Sequence, residues 1–123
     1  MIYSVGIDII DMQRIEKAVE KWGDRFIRRL LGDDERNLYR ERRNKIQFIS
    51  GRFAAKEAVL KSLGPFFERG APLRDIQILN DLYGKPYVHL EDRIRERILD
   101  KEVKISITHE RTMAAAVALL TGD

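Results

Sequence analysis

The sequence predicts one α+β domain, an antiparallel β-sheet packed with α-helices. Apolar residues alternate with polar ones near both ends, at Tyr3, Val5, Ile7 and Ile9 and again at Val103, Ile105 and Ile107. That period of two marks strands with one apolar face. Between them lie stretches of helical period, the clearest over residues 50–63. With 123 residues, the chain is long enough for one core and too short for two.

Residues 2–9 read as the first strand. Asp11 is placed to cap a helix carrying Met12, Ile15, Val19 and Trp22 on one stripe, and Gly23 ends it. Asp24 restarts a short helix with Phe26, Ile27 and Leu30, and Gly32, Asp33 and Asp34 open a third that runs to about Arg43. A fourth helix spans 50–63, rich in Ala, Lys and Leu and closed by Gly64 and Pro65. Residues 66–72 read as irregular. Residues 76–79 and 87–90 read as strands joined by a loop dense in turn residues. Residues 92–100 have helical period and 103–107 form a strand. The run 113–120 is open to two readings: three consecutive alanines favour helix, while Val117 and its neighbours permit a buried strand.

The chain has no cysteine, which excludes a disulfide scaffold, a zinc–thiolate site, an iron–sulfur cluster and thiol catalysis, and fits a reducing compartment. No run approaches the ~18 apolar residues of a membrane span. The expectation is a cytoplasmic protein that does not use a membrane. Lys plus Arg is 23 against 20 for Asp plus Glu, a net charge of +3, too mild to argue for nucleic acid. Between Arg14 and Arg29 there are six basic residues and three acidic ones, so this window holds the chain's whole excess.

Three features could carry chemistry. Asp8 lies inside an apolar strand, where an ionised carboxylate is costly unless a cation or donors meet it; alternatively it ends the strand and caps the next helix. Gly6, on the same face, lets another backbone or a ligand come close. In the helix Phe53-Ala54-Ala55-Lys56-Glu57-Ala58-Val59-Leu60-Lys61, Glu57 and Lys61 share a face at i and i+4, either as a solvated pair or as a site among small residues. In Ile105-Ser106-Ile107-Thr108-His109, a strand ends in two hydroxyls and an imidazole, which suits phosphate oxygens or a structural histidine.

These patterns in this order resemble the 4'-phosphopantetheinyl transferases, and within them the short single-domain bacterial type. Val5-Gly6-Ile7-Asp8-Ile9, the Phe53–Lys61 stretch, Gly84-Lys85-Pro86-Tyr87, and Ile105–His109 followed by Ala114-Ala115-Ala116 carry the resemblance, which spans nearly the whole chain. It implies that fold, with 113–120 a strand paired to 103–108. It also implies transfer of the phosphopantetheine arm of coenzyme A to a serine of acyl carrier protein, releasing adenosine 3',5'-bisphosphate.

By the same resemblance, Asp8 and Glu57 hold magnesium, Lys61 meets the diphosphate, and His109 with Thr108 contacts nucleotide phosphates. Arg52, Gly64, Lys85 and Pro86 join the nucleotide pocket, some across the interface of a homotrimer. The proton of the serine goes to Glu57 or to a metal-bound water. Carrier proteins of this family are acidic. A basic stripe of Arg14, Lys17, Lys21 and Arg25, continued by Arg28 and Arg29, would dock such a partner, with Arg14 foremost. An ordinary solvated face is the alternative, since Glu16, Glu20 and Asp24 lie alongside.

One departure stands out. Where relatives carry a Gly-Thr-Gly-like stretch, this chain has Gly64-Pro65-Phe66-Phe67-Glu68-Arg69-Gly70. No contact is carried onto residues 65–69, although Phe66 or Phe67 could cover the pantetheine arm. Two other classes compete with transfer: a magnesium-dependent phosphohydrolase, which gives the basic stripe no purpose, and a non-enzymatic binding module, which makes Asp8 and Glu57 purely structural.

Overall fold

The computed structural model describes residues 1–67 and 70–123. Glu68 and Arg69, two positions of the departing loop, lie outside the described residues. The elements run β1 (Ile2–Asp11), α1 (Met12–Trp22), α2 (Asp24–Leu30), α3 (Asp33–Glu41), α4 (Lys45–Leu63), a 3₁₀ turn (Leu73–Asp75), β2 (Ile76–Asn80), β3 (Pro86–Leu90), α5 (Asp92–Ile98), β4 (Glu102–His109) and β5 (Met113–Thr121). The strands form a three-stranded antiparallel sheet in the order β1-β5-β4 and a separate β2-β3 hairpin. The long helix α4 lies across all three strands of the larger sheet and also meets β2.

The caps explain most boundaries. Asp11 accepts from the Gln13 N–H and starts α1, while Gly23, at φ 54°, ends it and turns the chain into α2. Gly32 has no side chain with which to cap α3, and Gln77 of β2 does so instead. Its Oε1 accepts from the N–H groups of Asp34 and Glu35 at 3.0 and 3.2 Å. Helix α4 begins at Lys45, five residues before the expected start, because the Asn44 side chain accepts from the Gln47 N–H. That extra turn carries Gln47 and Phe48 to the end of β4.

The open run at 113–120 is β5, the central strand. Its alanines serve close packing rather than helix formation: Ala114, Ala116 and Ala118 face inward with Ala54, Ala55 and Ala58 of α4, all nearly or fully buried. Gly6 completes this layer. A Cβ built there would lie 1.9 Å from the Ala58 carbonyl oxygen, so the backbones of β1 and α4 are in contact. Larger residues, among them Leu31, Ile49, Val59, Ile76, Ile78 and Leu120, fill the space on either side.

The apolar alternation of β1 faces outward. Val5, Ile7 and Ile9 are 55, 67 and 62% exposed, while Ser4, Gly6, Asp8 and Ile10 turn toward the helix. Trp22, grouped in sequence with the buried stripe of α1, is 50% exposed; the chain turns at Gly23 before α2 can cover it.

Lys56 is buried completely. Its ammonium donates to Glu35 and to the carbonyls of Leu73 and Ile76, while Glu35 also accepts from the Gly32 and Ile78 N–H groups. Burial lowers its pKa to about 8 against the pull of Glu35. The pair ties α3, α4 and β2 together, a structural role for the first of the adjacent charges Lys56 and Glu57. Removing one partner of such a pair strands the other, while replacing both by apolar residues often does no harm.

Candidate active site

Inward orientation on β1 brings Asp8 to α4 at the level of Glu57 and Lys61. The Lys61 ammonium donates to the Ile7 carbonyl at 2.8 Å and to Asp8 Oδ1 at 3.2 Å. Asp8 pairs with Ala116 on β5, so a small residue flanks its carboxylate within the sheet. Glu57 is half-buried, and its pKa is raised by burial and by the charge of Asp8, against the pull of Lys61. Two carboxylates thus crowd each other beside a flexible ammonium that is already seated on one of them. Such a pair suits a hard divalent cation, which takes one or two carboxylates and completes its shell with water and phosphate oxygens. Among the described residues no group of three or more metal-ligating side chains occurs, so a cation here would depend on those other oxygens.

His109 and Arg52 line a second, open cleft of about 190 Å³ with Arg42, Asn44, Gln47, Phe48, Gly51 and Ile107. Gln47 Nε2 lies 3.0 Å from His109 Nδ1; the amide donates there, which puts the ring proton on Nε2. Arg52 is buried over the Phe48 ring. It donates from Nε to the Ile78 carbonyl at 3.1 Å and from Nη2 to Asn80 Oδ1 at 2.7 Å. Asn80 Nδ2 in turn donates to the Gly84 carbonyl at 2.9 Å, so the turn before Lys85 and Pro86 is tied to the arginine. Asp81 holds that turn from the other side by accepting from the Tyr83 and Lys85 N–H groups.

The expected residues therefore fall into two groups. Asp8, Glu57 and Lys61 meet at β1, with Gly64 capping the same helix beyond them. Arg52 and His109 meet at the other end of α4, next to the hairpin of Lys85 and Pro86. Five residues from Arg52 to Glu57 are about 7.5 Å along a helix and about 140° around it, so the groups face different neighbours. Thr108 stands apart from His109, because successive strand residues alternate. It shares the outer sheet face with Lys104 and Ser106, while Ile105, Ile107 and His109 point inward.

On α1 and α2, Arg14, Lys17, Lys21 and Arg25 are all exposed, but the turn at Gly23 divides them between two helices. Lys21 and Arg25 flank the Trp22 ring at 4.9 and 6.0 Å, and Arg28 is neutralised by Asp24 at 2.8 Å.

Arg42, Gln47 and Asn80 were not legible as site residues. None carries a motif, and each is recognised only once α4 starts at Lys45 and the hairpin lies beside it. Another cleft, about 590 Å³ and bordered by Pro65, Phe66, Phe67, Gly70, Arg93, Glu96 and Arg97, shares no residue with either group. Phe66 packs edge-on against Tyr3 at 6.3 Å, and Lys101 lies over both rings.

Residues 4–118 match the family model of the 4'-phosphopantetheinyl transferase superfamily. The chain is 42% identical over 116 residues to the holo-[acyl-carrier-protein] synthase of Pelodictyon phaeoclathratiforme, covering 94% of this chain and 96% of that one. Its fold superposes on the holo-[acyl-carrier-protein] synthase of Neisseria meningitidis with a TM-score of 0.89, at 28% identity over 99% of this chain and 100% of the other. A holo-(acyl-carrier-protein) synthase from Bacillus anthracis, solved in complex with CoA (3',5'-ADP), matches with a TM-score of 0.80 at 35% identity over 98 and 96%. With two crowded carboxylates, a neighbouring lysine and a basic cleft on that fold, the chain belongs to the 4'-phosphopantetheinyl transferase superfamily, among its holo-[acyl-carrier-protein] synthases.

Proposed function

We propose that the protein transfers 4'-phosphopantetheine from coenzyme A to a serine of apo acyl carrier protein, with magnesium, and releases adenosine 3',5'-bisphosphate. The observation that carries this is the meeting of Asp8, Glu57 and Lys61 across β1 and α4. Phosphoryl transfer asks little covalent chemistry of the protein; it asks for positioning and for charge to offset the phosphate oxygens. Asp8 and Glu57 would hold magnesium, which when bound supplies that positive charge to the diphosphate. Lys61, half-exposed and anchored only at its tip, is free to swing from Asp8 to the diphosphate and neutralise the departing nucleotide phosphate. The serine proton would go to Glu57 or to a water polarised by Asp8 and Glu57. His109 Nε2–H, with Arg52 and the Lys85–Pro86 turn, is placed to bind the nucleotide end.

Arg14, Lys17, Lys21 and Arg25 form the docking surface for the acidic carrier. Exposed cations next to an apolar ring raise encounter rates and set orientation more than they add affinity. Equal amounts of released bisphosphate and modified carrier would support transfer. Bisphosphate released without carrier modification would identify a hydrolase.

The active enzyme is a homotrimer in which one subunit's carboxylates work with a neighbour's basic cleft. Two features support this: the divided site along α4, and the exposed Val5, Ile7 and Ile9 on an edge strand, continuous with Val117 and Leu119. Burying each large aliphatic is worth about 1.5–3 kcal/mol. Ile7→Lys is expected to convert a species of three chain masses into monomers and to abolish transfer, as read by light scattering and activity. A monomeric wild type of full activity would contradict the shared site.

A further inference from the structure

The outer edge of β2 is paired with side chains rather than with a strand. β3 bonds to one side of β2. On the other side Lys56 donates to the Ile76 carbonyl, Glu35 accepts from the Ile78 N–H at 2.8 Å, and Arg52 Nε donates to the Ile78 carbonyl at 3.1 Å. Three charged groups of α3 and α4 thus take the place of a third strand. The spacing suits this. Arg52 and Lys56 share a helix face at i and i+4, about 6 Å apart along the axis. Ile78 and Ile76 are about 6.6 Å apart along their strand. The Lys56 ammonium spends its remaining donor on the Leu73 carbonyl at 3.0 Å, and Glu35 also accepts from the Gly32 N–H at 3.0 Å.

Stability alone does not call for ions here. Lys56 and Glu35 are both fully buried, and apolar residues of the same volume are often as stable as such a pair. Charges add direction, which apolar packing lacks. A two-stranded hairpin has little rigidity of its own, and this one carries Asn80 and the Lys85–Pro86 turn. The N–H and C=O of one strand residue point the same way, so seating the Ile78 N–H on Glu35 also aims the Ile78 carbonyl at Arg52. Arg52 in turn reaches Asn80 Oδ1 at 2.7 Å.

We propose that Glu35 and Lys56 are positioning residues for the transfer reaction, aligning β2 on α4 so that Arg52 and the hairpin turn stand ready for the donor. This rests on the transferase reading above. Neither residue touches a reactant; both act through Ile78 and Arg52.

Replacing one partner alone would strand a buried charge and unfold the chain. The test therefore combines Glu35→Gln with Lys56→Met, which removes both charges and keeps a carbonyl oxygen for the Ile78 N–H. In the folded double variant KM for coenzyme A is expected to rise about tenfold, the order of one charged hydrogen bond. KM for the apo carrier and kcat stay nearly unchanged. In an Arg52→Gln background the same two replacements are expected to add little to KM, because the residues act as one unit. Wild-type kinetics in a folded double variant overturn the proposal. So does a loss shared equally by both substrates and kcat, or a full further rise in KM without Arg52. If the double variant does not fold, hydrogen exchange on the wild type decides. The Ile78 amide is expected to exchange as slowly as the α4 amides around Lys56, and more slowly still with coenzyme A. Exchange as fast as in the turn at 81–85, or no response to coenzyme A, overturns the proposal. A wild type that neither binds nor uses coenzyme A overturns the transferase reading itself, and the proposal with it.

Discussion

Gly6→Ala is expected to unfold the protein more than any other single methyl group added to it, and to remove its activity together with its stability. The new Cβ would fall 1.9 Å from the Ala58 carbonyl oxygen, 2.9 Å from its carbonyl carbon and 2.8 Å from the Ser62 nitrogen. All three are backbone atoms of a helix packed on the whole sheet, so no side chain can swing aside. Overpacking a core costs about 1–3 kcal/mol where side chains can adjust; here the cost lies at or above the top of that range, a fall in Tm of roughly 10 °C or more. If α4 lifts to relieve the clash, Glu57 and Lys61 leave Asp8, and activity goes with them. Gly51→Ala is the control. Its Cβ meets only the Ile107 Cγ2 at 3.3 Å, and alanine suits a helix interior better than glycine. Urea unfolding of both variants reads the difference, with transfer assayed on Gly6→Ala alone because Gly51 borders the cleft of Arg52 and His109. An active, stable Gly6→Ala protein would contradict the close packing of β1 on α4.

Asp8→Ala and Glu57→Gln are expected to lose transfer by roughly 10²–10³-fold or more, the scale seen when one preorganised charge-stabilising group is removed. Neither should unfold. Glu57 has its proton affinity raised first by burial and then by Asp8. A carboxyl whose pKa is raised on folding destabilises the native state as pH rises through that range, so at neutral pH its ionised form is a net cost. Glu57→Gln removes this cost, and its Tm without magnesium should equal or exceed that of the wild type. Magnesium with coenzyme A should raise the wild-type Tm through binding to the native state alone, and raise it much less in either variant. Full transfer by either variant, or an undiminished magnesium effect, would remove Asp8 and Glu57 from the metal's shell.

Much of this was legible in the sequence, and the misses have physical causes. Asp8, Gly6, Glu57 and Lys61 stood out because each breaks a local pattern that a plain core would keep, and the structure brings all four to the contact of β1 with α4. Which face of β1 meets the helix was not legible, because a period of two marks a strand without saying which of its two faces is covered. Outward Val5, Ile7 and Ile9 show that ambiguity. The alanines of β5 left helix and strand equally open until the resemblance pointed to a strand, which the structure shows. Alanine favours helices by propensity, but here Ala114, Ala116 and Ala118 keep α4 close to the sheet, and tertiary packing overrides propensity. The start of α4 was placed late because Phe48 and Ile49 are weak helix formers, while the Asn44 cap is one residue among several polar ones. Lys56 needed Glu35, 21 residues away, and no spacing rule connects them.

Modification of a carrier protein at the Asp8–Glu57 site is the step on which every other proposal depends. The most direct measurement is the intact mass of apo acyl carrier protein after incubation with this protein, coenzyme A and magnesium, run beside a chelator control. The expected result is a gain of one phosphopantetheine mass, absent with the chelator and absent with Asp8→Ala. An unmodified carrier, or a gain that persists with the chelator and the variant, would contradict it.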